Sequence, residues 1–129
     1  MNSRVTARER GLLKGAVRRV FSRSELRRAI IEAAIVNYSD PSRPKVKVWV
    51  KCAVCGKPEA KSYMAADHLE PVIPVNSSFE EMGLDLTVDR LWCHPSNLQA
   101  ICPDCHDSKT KSERKQRNAA KKEKKKNGR

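Results

Sequence analysis

Apolar residues near the start of the chain recur every three to four positions, as they do on one face of a helix. From Thr6 to Phe21 they form a stripe while basic residues fill the remaining surface, so a helix is predicted there. Ser22, followed by Glu25 three positions on, is a capping-box pattern that predicts a second helix running to about Val36. That helix would bury Leu26, Ile30, Ala34 and Ile35. The two helices together predict a helical hairpin.

The pattern then changes from helical spacing to alternation. Two prolines in the segment Asp40–Pro44 predict a loop. Lys45–Val50 alternates basic and apolar residues, which predicts a half-exposed strand. A second short strand is predicted from Tyr63 to Leu69 and is ended by Pro71 and Pro74. Short strands and separate helices in one chain of this length predict a single α+β domain.

The second half of the chain carries three helical patterns and a polar end. A short helix is predicted near residues 78–83, where two serines each precede a glutamate by three positions. Another turn of helix is predicted around Leu86–Trp92, burying its two leucines and its tryptophan. A basic helix is predicted from Asp104 to about Ala120. Residues 121–129 have no apolar face to bury, so a disordered tail is predicted there.

Charge is distributed unevenly, with two basic ends around a mildly acidic middle. The formal net charge is +12. Residues 1–28 carry nine basic and two acidic side chains, residues 109–129 carry eleven and two, and the residues between them carry seven and eleven. Such clustering favours a polyanionic partner, most simply nucleic acid, over solubility alone. The predicted hairpin is then either a scaffold over the core or an arm that contacts nucleic acid through its arginines.

Four of the five cysteines occur as two CxxC pairs, Cys52–Cys55 and Cys102–Cys105. Two thiols at this spacing can bind one metal ion from a tight turn, and two pairs supply the four ligands of a closed tetrahedral zinc site. Gly56 after the first pair permits the tight backbone that such a turn needs. We therefore predict one shared structural zinc that stabilises a small core. Cys93, outside both pairs, is interpreted as a small buried hydrophobic residue.

The chain also carries information about its compartment. Cysteines used for metal binding rather than for disulfides indicate a reducing environment. No run of apolar residues approaches the length of a membrane span. We therefore expect a cytoplasmic protein with no membrane partner.

Asp67 and His68 form a second group with chemical potential. Adjacent residues of a strand point to opposite faces, so at a strand end Asp67 could bind a metal while His68 faces a water beside it. An imidazole that is neutral near pH 7 can accept a proton from that water. Lys109 lies one helical turn beyond His106, and it either neutralises a phosphate or belongs to a solvated helix face. His94 is interpreted as a loop residue.

Four short segments share one order along the chain: Asp67-His68-Leu69-Glu70-Pro71, Asn97-Leu98-Gln99-Ala100-Ile101-Cys102, Cys105-His106 and Lys109. Together they resemble the HNH endonucleases, whose core is the ββα-metal fold. The resemblance covers residues 46–117, and the four cysteines match the zinc-stapled branch of that family. The short chain with its basic ends looks like the small HNH proteins encoded by bacteriophages. One departure is the 28-residue gap between His68 and Asn97, which is longer than in the tightest members.

The resemblance implies roles for four residues. By position, Asp67 and His106 would bind a catalytic divalent ion, and His68 would be the general base. Asn97 would hold the loop of that site in place and help to orient the histidine. Two protein ligands would leave positions on the ion open for a phosphate oxygen and a leaving oxygen.

The resemblance also implies a domain organisation within the α+β class. Residues 45–120 would form a ββα-metal (HNH) core with a structural four-cysteine zinc. Residues 1–44 would form the N-terminal helical hairpin and a linker before that core, and residues 121–129 the basic disordered tail.

The implied reaction is hydrolysis of DNA phosphodiester bonds, by nicking or cutting the duplex, to leave a 5′-phosphate and a 3′-hydroxyl. The catalytic cofactor would be Mg²⁺, Mn²⁺, Ni²⁺ or a similar ion, and RNA remains an alternative substrate. A second copy of the chain or a phage protein is an alternative partner, and a phage-encoded protein would act in the host cytoplasm. Six basic side chains would contact nucleic acid: Lys109, Lys111, Arg114, Lys115, Arg18 and Arg19.

Two other classes of protein compete with an enzyme. A zinc-stapled nucleic-acid-binding module without catalysis would explain the cysteines and the charge. It would not explain why Asp67, His68, Asn97 and His106 occur in that order. An accessory protein of a phage packaging or replication assembly is compatible with either interpretation.

Overall fold

The computed structural model describes residues 4–128. Its helices are α1 (Ala7–Ser22), α2 (Glu25–Ala33), α3 (Phe79–Met82), α4 (Leu84–Leu91) and α5 (Pro103–Asn127). Its strands are β1 (Ile35–Val36), β2 (Trp49–Lys51), β3 (Pro58–Ala60), β4 (Ala65–His68) and β5 (Leu98–Ile101). The α+β class is thereby confirmed. None of the described helices is both long and apolar enough to span a membrane. Residues 1–3 of the predicted N-terminal segment and residue 129 of the predicted tail lie outside the described residues.

The N-terminal helices form where predicted, but their junction differs from the expectation. Ser22 is the last residue of α1, and its hydroxyl donates to the carbonyl of Arg19 at 2.6 Å. Ser24 caps α2 instead, accepting from the backbone N–H of Arg27 at 3.1 Å. The capping box assigned to Ser22 and Glu25 is therefore wrong. Ser24 is the serine with the extended backbone that an N-cap requires.

The second helix also ends earlier than the predicted Val36. It stops at Ala33, because the β-branched pair Ile35 and Val36 forms β1 and pairs with β2. Ile35 is 44% exposed, so its predicted burial is wrong, and Ile31 is the α2 residue that is fully buried.

The strands form two small antiparallel sheets. The order of the first is β1-β2-β3, and β2 begins only at Trp49, so the predicted strand Lys45–Val50 is shorter than expected. The second sheet pairs β4 with β5, and its register places Asp67 opposite Gln99 and His68 opposite Leu98. α5 follows β5 after one residue and contacts β4. Two antiparallel strands followed directly by a helix therefore lie at the centre of the molecule.

The segment between β4 and β5 contains both predicted helices, α3 and α4. Thr87 and Leu91, four positions apart, face the interior. Leu86 precedes Thr87 by one position, so it points away and is 47% exposed. Trp92 is 36% exposed, with its ring edge-on to Phe21. Burial is thus correct for Leu91 and wrong for Leu86 and Trp92.

The last helix continues well past its predicted end near Ala120. It runs to Asn127, so the prediction of a disordered tail is wrong for residues 121–127. Lysine, alanine and glutamate all favour helix, and this propensity outweighs the lack of an apolar face. Lys124 also donates to the Asn76 carbonyl and lies 3.6 Å from Glu81, which ties the helix end to the loop before α3.

Two hydrophobic clusters hold these elements together. The first lies between α2 and both sheets and contains two of the CxxC cysteines: Ile31, Val50, Cys52, Met64, Ala100, Ile101 and Cys102. The second lies between α1, α4 and β5: Phe21, Val72, Ile73, Phe79, Leu91 and Leu98. The strand pair β4–β5 thus lies between a cysteine-containing core and a purely apolar one.

Candidate functional site

Two turns from distant parts of the chain bring the four CxxC cysteines together. Cys52 and Cys55 lie in the turn between β2 and β3, where Gly56 has a positive φ of 75°. Cys102 is the N-cap of α5, and Cys105 lies in the first turn of that helix. The loop after β2 is fixed to β5 by a hydrogen bond from the Ala53 N–H to the Ala100 carbonyl, at 2.8 Å.

The geometry of the four sulfurs fits one metal ion. All four lie within 4.8 Å of one another, and the Cys55 and Cys102 sulfurs are 3.8 Å apart. Four sulfurs bound at about 2.3 Å around a tetrahedral ion would be separated by about 3.8 Å. Among residues 4–128 this is the one group of three or more His, Cys, Asp or Glu side chains placed to hold a metal. The four cysteines could therefore hold a structural metal ion.

The electrostatics of the cluster favour a cation at its centre. Burial disfavours a charged sulfur at Cys52, but backbone N–H groups, including that of Cys102 at 3.4 Å, lower the pKa of this thiol to about 6. The pKa of Cys105 is raised to about 12, chiefly through its hydrogen bond with Cys102 and through desolvation. One thiolate thus forms readily and disfavours the next. A divalent ion reverses this preference, because thiols that coordinate it are deprotonated.

Asp67 and His68 point to opposite sides of β4, as strand alternation predicts. Asp67 faces α5, and its Oδ2 accepts from the Gln99 amide at 3.1 Å and from the Lys109 ammonium at 2.5 Å. The Asp67 side chain is only 12% exposed. Within the described part of the chain, its Oδ1 makes no hydrogen bond.

Lys109 is surrounded by oxygen atoms. Besides Asp67, its ammonium donates to the backbone carbonyls of His68 and Leu69 and lies 3.6 Å from Glu113. Its side chain is 26% exposed. Lys109 therefore differs from both of its predicted interpretations, since it already neutralises a carboxylate and joins α5 to the end of β4.

His68 faces the apolar cluster on the other side of β4. Its ring lies 5.1 Å from that of Phe21, and its Nε2 is 2.8 Å from the Leu91 carbonyl. A carbonyl only accepts, so Nε2 carries the proton and Nδ1 carries the lone pair. Burial lowers the pKa of His68, assisted by Arg18 and Lys109 and opposed by the Leu91 carbonyl and Asp67. The imidazole is therefore held neutral, in one tautomer and one orientation.

Asn97 connects the end of β4 to the start of β5. Its side-chain oxygen accepts from the Glu70 N–H at 3.0 Å, and its backbone carbonyl accepts from the Leu69 N–H at 2.8 Å. These bonds hold the loop that follows His68, which is one part of the role predicted for Asn97. The carbonyl of Leu91, rather than Asn97, orients the His68 ring directly.

The other predicted site residues lie on exposed surface. His106 is in the first turn of α5, one turn before Lys109, and its imidazole makes no hydrogen bond or ion pair with the other described residues. Lys111 pairs with Asp107 at 3.0 Å, and both side chains are about two-thirds exposed or more. Arg114, Lys115, Arg18 and Arg19 are also exposed. His94 is a loop residue, as predicted, and its ring caps a short 3-10 turn through Ser96.

Three contacts of the site have no equivalent in the sequence-based prediction. They are the Leu91 carbonyl on His68, the Gln99 amide on Asp67 and the tilted packing of the Phe21 ring against that of His68. Only Gln99 carried a usable signal, because it is a polar residue in the otherwise apolar run of residues 98–101 next to a CxxC pair. A backbone carbonyl such as that of Leu91 leaves no mark on the sequence.

Comparisons of the chain with protein-family models, with curated proteins and with solved structures found no match. The class of protein is therefore defined by the molecule's own features. It is a mixed α+β protein with two small antiparallel sheets and a four-cysteine cluster at the base of its longest described helix.

Replacing Lys109 with methionine should destabilise the fold by about 1–3 kcal/mol, because a mostly buried carboxylate would lose its charged partner. Urea unfolding at neutral pH measures this loss. Lys111→Met is the matched control, since it removes a lysine from the same helix and breaks a solvent-exposed pair with Asp107. The control should cost less than about 0.5 kcal/mol. Equal losses in the two variants would show that the contact between Lys109 and Asp67 adds no stability.

Proposed function

We propose that the protein is a metal-dependent endonuclease of the HNH type that hydrolyses phosphodiester bonds in DNA. The observation that carries the proposal is the arrangement at the end of β4. There a neutral, oriented His68 and a carboxylate, Asp67, lie on opposite sides of one strand end. The elements β4, β5 and α5 have the connection of a ββα unit, which supports residues 45–120 as the nuclease core.

His68 has the properties of a general base. Its Nδ1 makes no hydrogen bond within residues 4–128, so the lone pair is free to take a proton from water. That water oxygen would form the new bond to phosphorus while the bond to the 3′ oxygen breaks. The 3′ oxygen would then take up a proton, and the products would be a 5′-phosphate and a 3′-hydroxyl. Burial keeps the imidazole neutral and ready to accept the proton.

Asp67 and His106 would hold the catalytic divalent ion. The free Oδ1 of Asp67 fits this role, and His106 lies one turn before the residue of α5 that touches Asp67. The ion would supply positive charge that stabilises the phosphate and the leaving oxygen. Lys109 already donates to Asp67 Oδ2, so the ion would be held through the Oδ1 atom of that carboxylate.

The structural ion in the cysteine cluster is proposed to be zinc. Soft thiolate ligands in a tetrahedral arrangement select zinc over magnesium or calcium. Four sulfur ligands leave no open position, so this ion would stabilise the fold and take no part in hydrolysis. The cluster lies at the start of α5 and against β5, where it would fix the geometry of the ββα unit.

Incubation with supercoiled plasmid tests the proposal directly. With added Mg²⁺, Mn²⁺ or Ni²⁺, the full-length, zinc-loaded protein should convert plasmid to nicked or linear product, and without added ion the plasmid should stay supercoiled. Asp67→Asn should lose this activity while keeping its fold, because the amide can still accept from Lys109. If the protein binds plasmid but leaves it uncut with every ion, the proposed endonuclease activity is contradicted.

A zinc-stapled nucleic-acid-binding module is the second candidate, and one observation favours it. The Asp67 carboxylate is already neutralised by Lys109, and within residues 4–128 no group of three metal-ligating side chains exists besides the cysteines. Such a module would bind the plasmid without cutting it, so the same experiment separates the two candidates.

A further inference from the structure

A cleft with strong positive charge lies between α1, the segment of residues 73–81 (a loop and the start of α3) and α5. Its volume is about 530 Å³. Six cationic side chains line it: Arg10, Lys14, Arg18, Arg117, Lys121 and Lys124. We call it the cationic cleft. The sequence-based prediction placed only Arg18 of these six at a nucleic-acid interface.

The two carboxylates of the cationic cleft do not balance this charge. Glu80 lies 3.7 Å from Arg10, and Glu81 lies 3.6 Å from Lys124, so each already has a cationic partner. Between residues 4 and 128, the side chains of Lys14, Arg18 and Lys121 make neither a hydrogen bond nor an ion pair. Three cations therefore face the cleft without a counter-charge in contact.

Burial and neighbouring positive charges both act on the cations of the cationic cleft. The pKa of Lys14 is lowered first by burial and then by the positive charges of Arg18 and Arg117. The pKa of Arg18 is lowered as well, by desolvation and by Arg117 against an opposing effect of Glu113, although the side chain is still reached by solvent. Holding like charges close together costs free energy, and an anion that binds in the cleft would offset that cost.

The cationic cleft begins beside the candidate site. Arg18 lies three positions before Phe21 on α1, and the Phe21 ring is 5.1 Å from that of His68, so the charge of Arg18 lowers the pKa of the imidazole. At the other side of the cleft, Arg117 donates to the backbone carbonyls of Ile73 and Pro74, which fixes α5 against the loop. Lys14 and Arg18 are four positions apart on α1, about 6 Å along the helix axis. Cations therefore extend from His68 along one side of the molecule.

We infer that the cationic cleft binds backbone phosphates of a nucleic-acid strand on one side of the bond that is cut. The inference rests on the proposed function, because it places the scissile phosphate at His68. An extended polyanion fits better than one small anion, because the unpaired cations lie on two different helices, Lys14 and Arg18 on α1 and Lys121 on α5. Contacts of this kind give affinity and register without reading base sequence.

The test replaces two unpaired cations and compares them with a matched pair. Lys14→Gln with Arg18→Gln removes two charges from the cleft, and glutamine preserves the helix. Arg8→Gln with Arg23→Gln removes two charges from exposed positions of α1 and its C-cap, outside the cleft. Fluorescence anisotropy with a labelled 20-base-pair duplex, without added divalent ion, then gives the affinity of each full-length protein across a salt series.

We expect the cleft variant to lose about two units from the slope of log K against log salt, since each phosphate contact contributes roughly 0.9. At 0.1 M salt its affinity should fall roughly 10- to 100-fold. The matched variant should keep the wild-type slope. Equal slopes for the cleft and matched variants would overturn the inference. So would failure of the wild-type protein to bind the duplex.

Two further measurements separate this inference from a small-anion site and from the proposed nuclease activity. Titration with inorganic phosphate, followed by the unfolding temperature, tests for a small-anion site. If phosphate stabilises the wild type but not the cleft variant, and both proteins bind DNA equally, the cleft is a site for a small free anion. That result would overturn the inference. Plasmid cleavage tests the enzyme separately. If DNA binding depends on the cleft but the protein never cuts plasmid, the binding role of the cleft stands and the nuclease activity is contradicted.

Discussion

Cys52→Ser combined with Cys105→Ser should abolish metal binding and unfold the centre of the molecule. The wild-type protein, purified without added metal, should contain one zinc per chain by elemental analysis, and the double variant none. Zinc binding to small domains is worth on the order of 10 kcal/mol, which is comparable with the entire stability of a typical domain. Since Cys52 and Cys102 belong to the buried cluster between the two sheets, loss of the ion should remove that cluster's anchor.

Cys93→Ser is the matched control for the cysteine variant. Cys93 is half-buried beside the second cluster and lies outside the group of four sulfurs. The Cys93→Ser protein should keep its zinc and show a cooperative thermal transition by circular dichroism. Zinc retained by the double variant, or no zinc in the wild type, would contradict the assignment of the cluster.

His68→Ala should slow plasmid cleavage by about 10²–10⁴-fold, the usual contribution of a general base. Because His68 also packs against Phe21, its loss could disturb the fold, so His68→Gln is a second variant that keeps an amide able to donate to the Leu91 carbonyl. Both variants should bind the duplex as the wild type does. His94→Ala, which changes an exposed loop histidine, is the control and should cut normally.

Calorimetric titration with Mn²⁺ separates the proposed general base from the proposed ligands of the catalytic ion. His68→Gln should bind the ion as the wild type does, whereas Asp67→Ala and His106→Ala should bind it far more weakly. Both Asp67→Ala and His106→Ala should retain their structural zinc, because the four cysteines are unchanged. A His68→Gln protein that cuts plasmid at the wild-type rate between about pH 6 and 9 would remove His68 from the role of base.

Features that depend on neighbouring residues in the sequence were predicted well. The two CxxC pairs indicated one cluster because the ligand spacing within each pair is local, and Gly56 lies in the tight turn that was predicted after the first pair. Alternation along β4 correctly placed Asp67 and His68 on opposite sides of the strand. The type of the two helices after β4 was predicted for the same reason.

The wrong predictions arose where tertiary contacts outweighed a local pattern. Ile35 fits a helical stripe, yet it pairs with Val50 in a sheet whose existence depends on residues far along the chain. Residues 121–127 have no apolar face, yet the helix continues through them and is tied at Lys124 to Asn76. The partner of Lys109 was missed because a lysine on a basic helix gives no sign of a carboxylate 42 positions away.

α5 is a single unbroken helix, so the groups along it are held at fixed distances from one another. It begins at Pro103, directly after Cys102 of the cysteine cluster, contacts Asp67 through Lys109 and reaches the cationic cleft at Arg117. At 1.5 Å per residue, Lys109 and Arg117 are separated by about 12 Å along the axis. No loop intervenes that could stretch or bend this interval. The number of residues in α5 therefore fixes the distance between the strand end that carries His68 and the cations that would bind a nucleic-acid backbone. Inserting one residue between Lys109 and Arg117 would turn the cleft side chains by about 100° relative to Lys109.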